Sequence, residues 1–188
     1  VPAKSYGHDL TAMRKAITNE TKILFVANPN NPTGTLAGKN EIIDLITQTP
    51  NHLLIVIDEA YFEFLDDPAD LLPMIKQHPN LLLMRTFSKI YGLAGLRIGY
   101  GVGHAELIGS LDKVRQPFNL NVMAQSAALA ALNDEDHLES TRQNNTLGIE
   151  FFTEQLAKLG LETVPSHANF ILVKVGDGDA IFEQLQKE

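Results

Sequence analysis

Lys89 follows the apolar run Leu81–Met84 after four further residues, Arg85-Thr86-Phe87-Ser88. An ordinary lysine is a solvated surface charge. A lysine held at the carboxyl end of a buried strand is partly desolvated, gives up its proton more readily, and serves as an amine nucleophile or Schiff-base former. Ser88 and Arg97 add a hydroxyl and a planar guanidinium, a pair suited to a phosphate. Gly92, Gly95 and Gly99 permit tight turns and close backbone approach around them.

Two more segments carry chemistry. Asp58-Glu59-Ala60-Tyr61 closes the apolar run Leu53–Ile57. A carboxylate at that place is costly unless paired. Its plain reading is a helix cap or salt-bridge partner. Its functional reading needs a cation, either a protonated pyridine nitrogen or a magnesium ion. The magnesium reading resembles the Walker B element of an ATPase, which also requires G-x-x-x-x-G-K-[ST] on a strand-to-helix turn. The nearest segment, Gly34-Thr35-Leu36-Ala37-Gly38-Lys39-Asn40, is one residue short between its glycines and has Asn40 in place of the hydroxyl. The third segment is Asn28-Pro29-Asn30-Asn31-Pro32-Thr33-Gly34, after the run Ile23–Ala27. It reads as a turn, or as a side-chain amide placed at the strand edge where open α/β sheets hold ligands.

The positioning elements follow from four apolar runs: Ile23–Ala27, Leu53–Ile57, Leu81–Met84 and Ile98–Val102. Each is near-continuously hydrophobic, as in strands buried on both faces. Helical patterns lie at Thr11–Ile17, Glu41–Thr47 and Leu71–Lys76. Strand alternating with helix predicts an α/β fold, a mainly parallel sheet with helices on both faces. After Gly103 the pattern turns helical, at Ala105–Lys113, Val122–Leu132 and about Glu135–Leu159, with Gly160 as the stop. Short strands at Glu162–Val164 and Phe170–Val175 and a helix capped by Asp179 then read as the start of a small α+β domain. The division expected is residues 1–150 for the large domain and 151–188 for the start of the small one. Both ends read as cut, since the last helical pattern stops at Glu188 after about two turns.

Of 188 residues, 44% are hydrophobic and 20% charged, and the formal net charge is −8. That acidity argues against nucleic acid, which needs a basic face. There is no cysteine, so neither a disulfide framework nor thiolate chemistry. The six histidines lack the spacing of a metal site. No apolar run approaches the roughly 18 residues of a membrane span.

In order, Asn-Pro-Thr-Gly, Asp-x-x-Tyr, Ser88-Lys89 and then Arg97 resemble the fold-type I pyridoxal-phosphate enzymes, the aspartate aminotransferase superfamily. Within it, Phe87-Ser88-Lys89-Ile90-Tyr91-Gly92-Leu93-Ala94-Gly95-Leu96-Arg97, Arg115-Gln116-Pro117-Phe118-Asn119-Leu120-Asn121 and Ala168-Asn169-Phe170-Ile171-Leu172 look most like histidinol-phosphate aminotransferases.

The resemblance implies pyridoxal 5'-phosphate held covalently by Lys89, which also moves the substrate proton. It implies Asp58 at the ring nitrogen, Asn31 and Tyr61 at the ring oxygen, Ser88 and Arg97 at the phosphate, and a cis Asn31–Pro32 bond. It further implies aminotransfer between an amino donor, histidinol phosphate, and 2-oxoglutarate, in a cytoplasmic homodimer. A decarboxylase of a phosphorylated amino acid is the related alternative; an ATPase and a catalytically silent module are the unrelated ones. The family's N-terminal cofactor loop and its substrate-carboxylate arginine have no counterpart in these residues. Asn119, Asn121 and Asn169 read as caps or turns before ligand contacts, and Tyr91 as packing.

Overall fold

The computed structural model describes residues 1–187; Glu188, the last residue of the expected small domain, lies outside them. The elements in chain order are α1 (Leu10–Lys15), β1 (Ile23–Ala27), α2 (Lys39–Gln48), β2 (Leu54–Asp58), β3 (Leu81–Thr86) and β4 (Gly99–Gly103). They continue with α3 (Ala105–Asp112), α4 (Val122–Ala131), α5 (Glu135–Lys158), β5 (Glu162–Val164), β6 (Leu172–Lys174) and α6 (Gly178–Leu185).

Branched and aliphatic residues favour the extended chain in β1 to β3. The main sheet has the order β1-β2-β3-β4. β1, β2 and β3 are parallel, with Ala27 opposite Asp58 and Asp58 opposite Met84 at their carboxyl ends. The fold is therefore the expected mainly parallel α/β sheet. The fourth strand departs from that rule: β4 pairs with β3 antiparallel, Leu82 opposite Gly103 and Thr86 opposite Gly99. The link Phe87–Ile98 contains only the 3-10 turn Ala94–Leu96, no crossover helix, so the chain returns along the same edge.

Alternate residues divide the sheet into two faces. Leu24, Val26, Ile55, Ile57, Leu81 and Leu83 point to one, where α1 and α2 cover them with Leu10, Ile42, Leu45 and Ile46. α3 lies over the other face, where a Cβ on Gly103 would sit against Leu107 and Ile108. That second face is open beside β1: Ile23 and Phe25 are 58% and 50% exposed, so β1 is not buried on both sides as its continuous apolar run predicts.

The segment read as a helix at Leu71–Lys76 is a 3-10 turn, Leu72–Lys76, with proline in its first turn. Side-chain caps start five helices: Asp9 for α1, His104 for α3, Asn121 for α4, Asp134 for α5 and Asp177 for α6. The cap of α6 is thus Asp177, not Asp179, which sits in its first turn. Asn121 fills the structural role expected of it, and Gly160 ends α5 at φ 74°.

A second apolar cluster joins Phe87, Ile90, Tyr91 and Ile98 to Ala124 and Ala128 of α4, with the Tyr91 and Phe87 rings 4.9 Å apart. α5 runs unbroken through position 150 and leads to the antiparallel pair β5–β6. Among the described residues no helix is long and apolar enough to cross a membrane.

Candidate active site

Parallel strands deliver their carboxyl ends to one edge, and the segments that follow them meet there. An open cleft of about 820 Å³ lies at this edge. Asn31 enters it from the turn after β1, Asp58 from the end of β2, Tyr61 from the turn beyond, and Ser88, Lys89 and Arg97 from the loop after β3. The six residues singled out in the sequence thus line a single cavity.

The turn after β1 is held rigidly. Asn28 N–H donates to the Asp58 carbonyl at 2.9 Å, tying it to β2. Asn28 Oδ1 accepts from Ala37 N–H at 2.8 Å, and Asn30 Nδ2 donates to Thr33 Oγ1 at 2.8 Å. The Asn28–Pro29 and Asn31–Pro32 peptide bonds are both cis. Gly34 closes the turn at φ 73°, and its carbonyl accepts from His167 N–H at 2.8 Å. A Cβ there would collide with Ser166, so the position demands glycine for two reasons.

Asn31 Nδ2 donates to the Tyr61 hydroxyl at 3.0 Å. The Tyr61 ring packs edge-on against Phe170, centroids 5.3 Å apart, and the Lys89 Nζ lies 5.2 Å from the Tyr61 ring centroid. Burial pushes the Asp58 carboxyl above its usual range, while the Ala60 N–H at 3.1 Å and the Lys89 charge pull it back. A carboxylate that burial has strained in this way is ready to take a cationic partner.

At the other end of the cleft, Ser88 N–H donates to Thr86 Oγ1 at 3.0 Å. Arg97 adopts the left-handed conformation, φ 54° and ψ 47°, with its Nη1 on the Ala94 carbonyl at 2.6 Å. Left-handed backbone at a non-glycine residue is uncommon and holds this guanidinium in a defined place.

Thr86, outside the set expected from the sequence, lines the cleft with a hydroxyl beside Ser88. Its signal was available: it ends β3, three positions before Lys89. Arg85, likewise outside the expected set, also lines the cleft, and its Nε donates to Glu59 Oε2 at 2.8 Å. Nothing in the apolar pattern announces that pair. Tyr91 is 8% exposed and packs in the second cluster, as expected, and Asn119 Oδ1 accepts from Arg115 at 3.1 Å. The near-match to a phosphate-binding loop serves other ends: Gly34 closes the turn, and Gly38 N–H donates to Glu41 at the start of α2.

An amine, a desolvated carboxylate, an amide paired with a phenol, and a hydroxyl beside a guanidinium form a donor set for a flat ligand bearing a cationic ring atom, an oxygen and an anionic tail. Known proteins share the sequence that builds it. The chain is 48% identical over 186 residues to a histidinol-phosphate aminotransferase of Akkermansia muciniphila, a match covering 98% of this chain and 51% of that protein. It is 49% identical over 189 residues to histidinol-phosphate aminotransferase 1 of Nitrosococcus oceani, covering 98% and 51%. The chain spans about half the length of these curated relatives. Among solved structures, the histidinol-phosphate aminotransferase of Sinorhizobium meliloti in complex with pyridoxal-5'-phosphate superposes with a TM-score of 0.86 at 34% identity, over 95% of this chain and 49% of that one. Matched along residues 1–188, the chain belongs to the family of class I and II aminotransferases.

Proposed function

We propose that the whole protein binds pyridoxal 5'-phosphate through Lys89 and transfers an amino group from histidinol phosphate to 2-oxoglutarate, a step of histidine biosynthesis. The observation that carries the cofactor reading is the convergence of Asn31, Asp58, Tyr61, Ser88, Lys89 and Arg97 on one cleft from separate strand ends. The names of the relatives support the substrate.

When bound, the cofactor supplies an aldehyde to the lysine amine and a ring that accepts electrons from the substrate's α-carbon. The chain's own residues do the rest. Lys89 Nζ anchors the cofactor covalently and, once displaced, carries the proton to and from the substrate α-carbon. Asp58 keeps the ring nitrogen protonated; the cationic partner relieves the cost of its own burial. Asn31 and Tyr61 direct an N–H and an O–H to the ring oxygen and hold it as an anion. Ser88 and Arg97 grip the phosphate, with the Thr86 hydroxyl alongside.

Residues 1–150 then form part of the cofactor-binding domain and 151–188 begin a second, smaller one, with α5 shared across the boundary. The partners are an amino donor, a 2-oxo acid and a second copy in a homodimer, in the cytoplasm.

The test is product analysis of the full-length protein. Glutamate is expected from histidinol phosphate and 2-oxoglutarate. Carbon dioxide from a phosphorylated amino acid, without glutamate, would replace aminotransfer by decarboxylation.

A further inference from the structure

Two acidic residues close β2, Asp58 as its last residue and Glu59 just after it. Glu59 is 3% exposed. Its N–H donates to the Met84 carbonyl at 2.8 Å, just past the last paired residues of β2 and β3, Asp58 and Met84. Among the described residues, no backbone hydrogen bond beyond that one joins the two segments as they separate toward the cleft. A side-chain tie takes over. Glu59 Oε2 accepts from Arg85 Nε at 2.8 Å, with side-chain exposures of 3% and 16%. The Arg85 guanidinium carbon lies 3.5 Å from the Phe62 ring centroid, so the cation is clamped between a carboxylate and an aromatic face.

Each half of this pair is the immediate neighbour of a cleft residue: Glu59 follows Asp58, and Arg85 precedes Thr86. The bridge therefore joins the two strand ends at the wall of the cleft, which Asp58, Arg85 and Thr86 all line. From Thr86, a further hydrogen bond reaches Ser88, next to Lys89.

We propose that Glu59 and Arg85 are positioning residues that set the separation between Asp58 and the Thr86–Lys89 segment, and so the fit of the cofactor ring between its nitrogen and its aldehyde anchors. The proposal rests on the reading of Lys89 and Asp58 given above.

The surroundings suit a fixed tie. Burial opposes the Arg85 charge, but the Glu59 hydrogen bond and charge hold it above its usual range. Glu63, in the turn after β2, feels the Arg85 charge and has, among the described residues, a buried Oε1 without a hydrogen-bond partner, and Arg142 of α5 donates to the Glu63 carbonyl at 3.1 Å. Tyr100 of β4, Tyr91 and Asp70 are the other titratable neighbours. A buried ion pair is weak support for stability as such, because an apolar pair of like volume serves about as well. What an apolar pair lacks is direction, and direction is what sets a spacing.

The full-length protein loaded with pyridoxal phosphate separates the two roles. In the double variant E59M/R85M, the cofactor-free thermal midpoint is expected to stay near that of the parent. The pH midpoint of the visible cofactor band is expected to move by about 0.5 unit or more. kcat should fall about tenfold or more as the geometry loosens. R85K, which keeps the charge but loses the flat fork, is expected to shift the band in the same direction and decides the matter if the double variant does not fold. A parental band midpoint in whichever variant folds overturns the proposal, as does failure of both to fold, which would make the pair purely structural. Absence of a covalent cofactor adduct in the parent protein would instead remove the underlying reading of Lys89.

Discussion

The Asn31 amide reaches the Tyr61 hydroxyl at 3.0 Å, joining the turn after β1 to the turn after β2. Both groups face the cleft. Each satisfies the other while remaining able to turn a second hydrogen bond toward a ligand oxygen.

Tyr61→Phe removes the hydroxyl and leaves the Asn31 amide without that partner. The ring contact with Phe170 is kept, so the fold should be little affected. A lost hydrogen bond to a charged oxygen is worth about 1.5–3 kcal/mol, or roughly tenfold and more in affinity. Titration of the cofactor-free protein with pyridoxal phosphate should show that weakening, with the thermal midpoint nearly unchanged.

Asp58→Asn should act oppositely on stability and on function. Burial raises the Asp58 carboxyl above its ordinary 3.8. A carboxyl raised on folding contributes stability that is intact below the unfolded value and is lost as pH rises through the folded one. Asparagine carries no such penalty. In the cofactor-free protein, the stability of D58N relative to the parent should grow as pH rises from about 4 toward neutrality. The same variant should lose cofactor affinity and activity, since nothing then keeps the ring nitrogen protonated. Denaturant unfolding across pH, beside a cofactor titration, checks both directions.

Gly34→Ala meets two obstacles at once: φ of 73° and the Ser166 side chain. A cost of about 2 kcal/mol or more is expected. The double variant G34A/S166G should recover the side-chain part of the clash but neither the contact with the Ser166 Cα at 2.9 Å nor the backbone part, leaving about 1 kcal/mol or more. Thermal or denaturant melts of the three proteins separate the contributions.

The parallel core and the cleft were legible for one reason. Ile23–Ala27, Leu53–Ile57 and Leu81–Met84 are apolar runs with chemistry-bearing residues just beyond their ends. A parallel sheet brings such ends together. The direction of β4 was not legible, because Ile98–Val102 is as apolar as a parallel strand, and only the missing crossover helix turns it round. The exposure of Ile23 and Phe25 was hidden too. An apolar run reads the same whether or not a layer covers its second face. Within the site, residue type and order pointed to Asn31, Asp58, Tyr61, Ser88, Lys89 and Arg97. Neither could reveal the left-handed backbone at Arg97 or the bridge between Glu59 and Arg85, which depend on distances across the sheet.

The central claim is that Lys89 forms the covalent link to the cofactor, and borohydride trapping tests it most directly. The full-length protein is incubated with pyridoxal phosphate, reduced, digested and weighed by mass spectrometry. A reduced phosphopyridoxyl adduct on the peptide carrying Lys89, absent from Lys89→Ala, is the predicted result. An equal adduct in Lys89→Ala, or one mapped to another lysine in the parent, would contradict it.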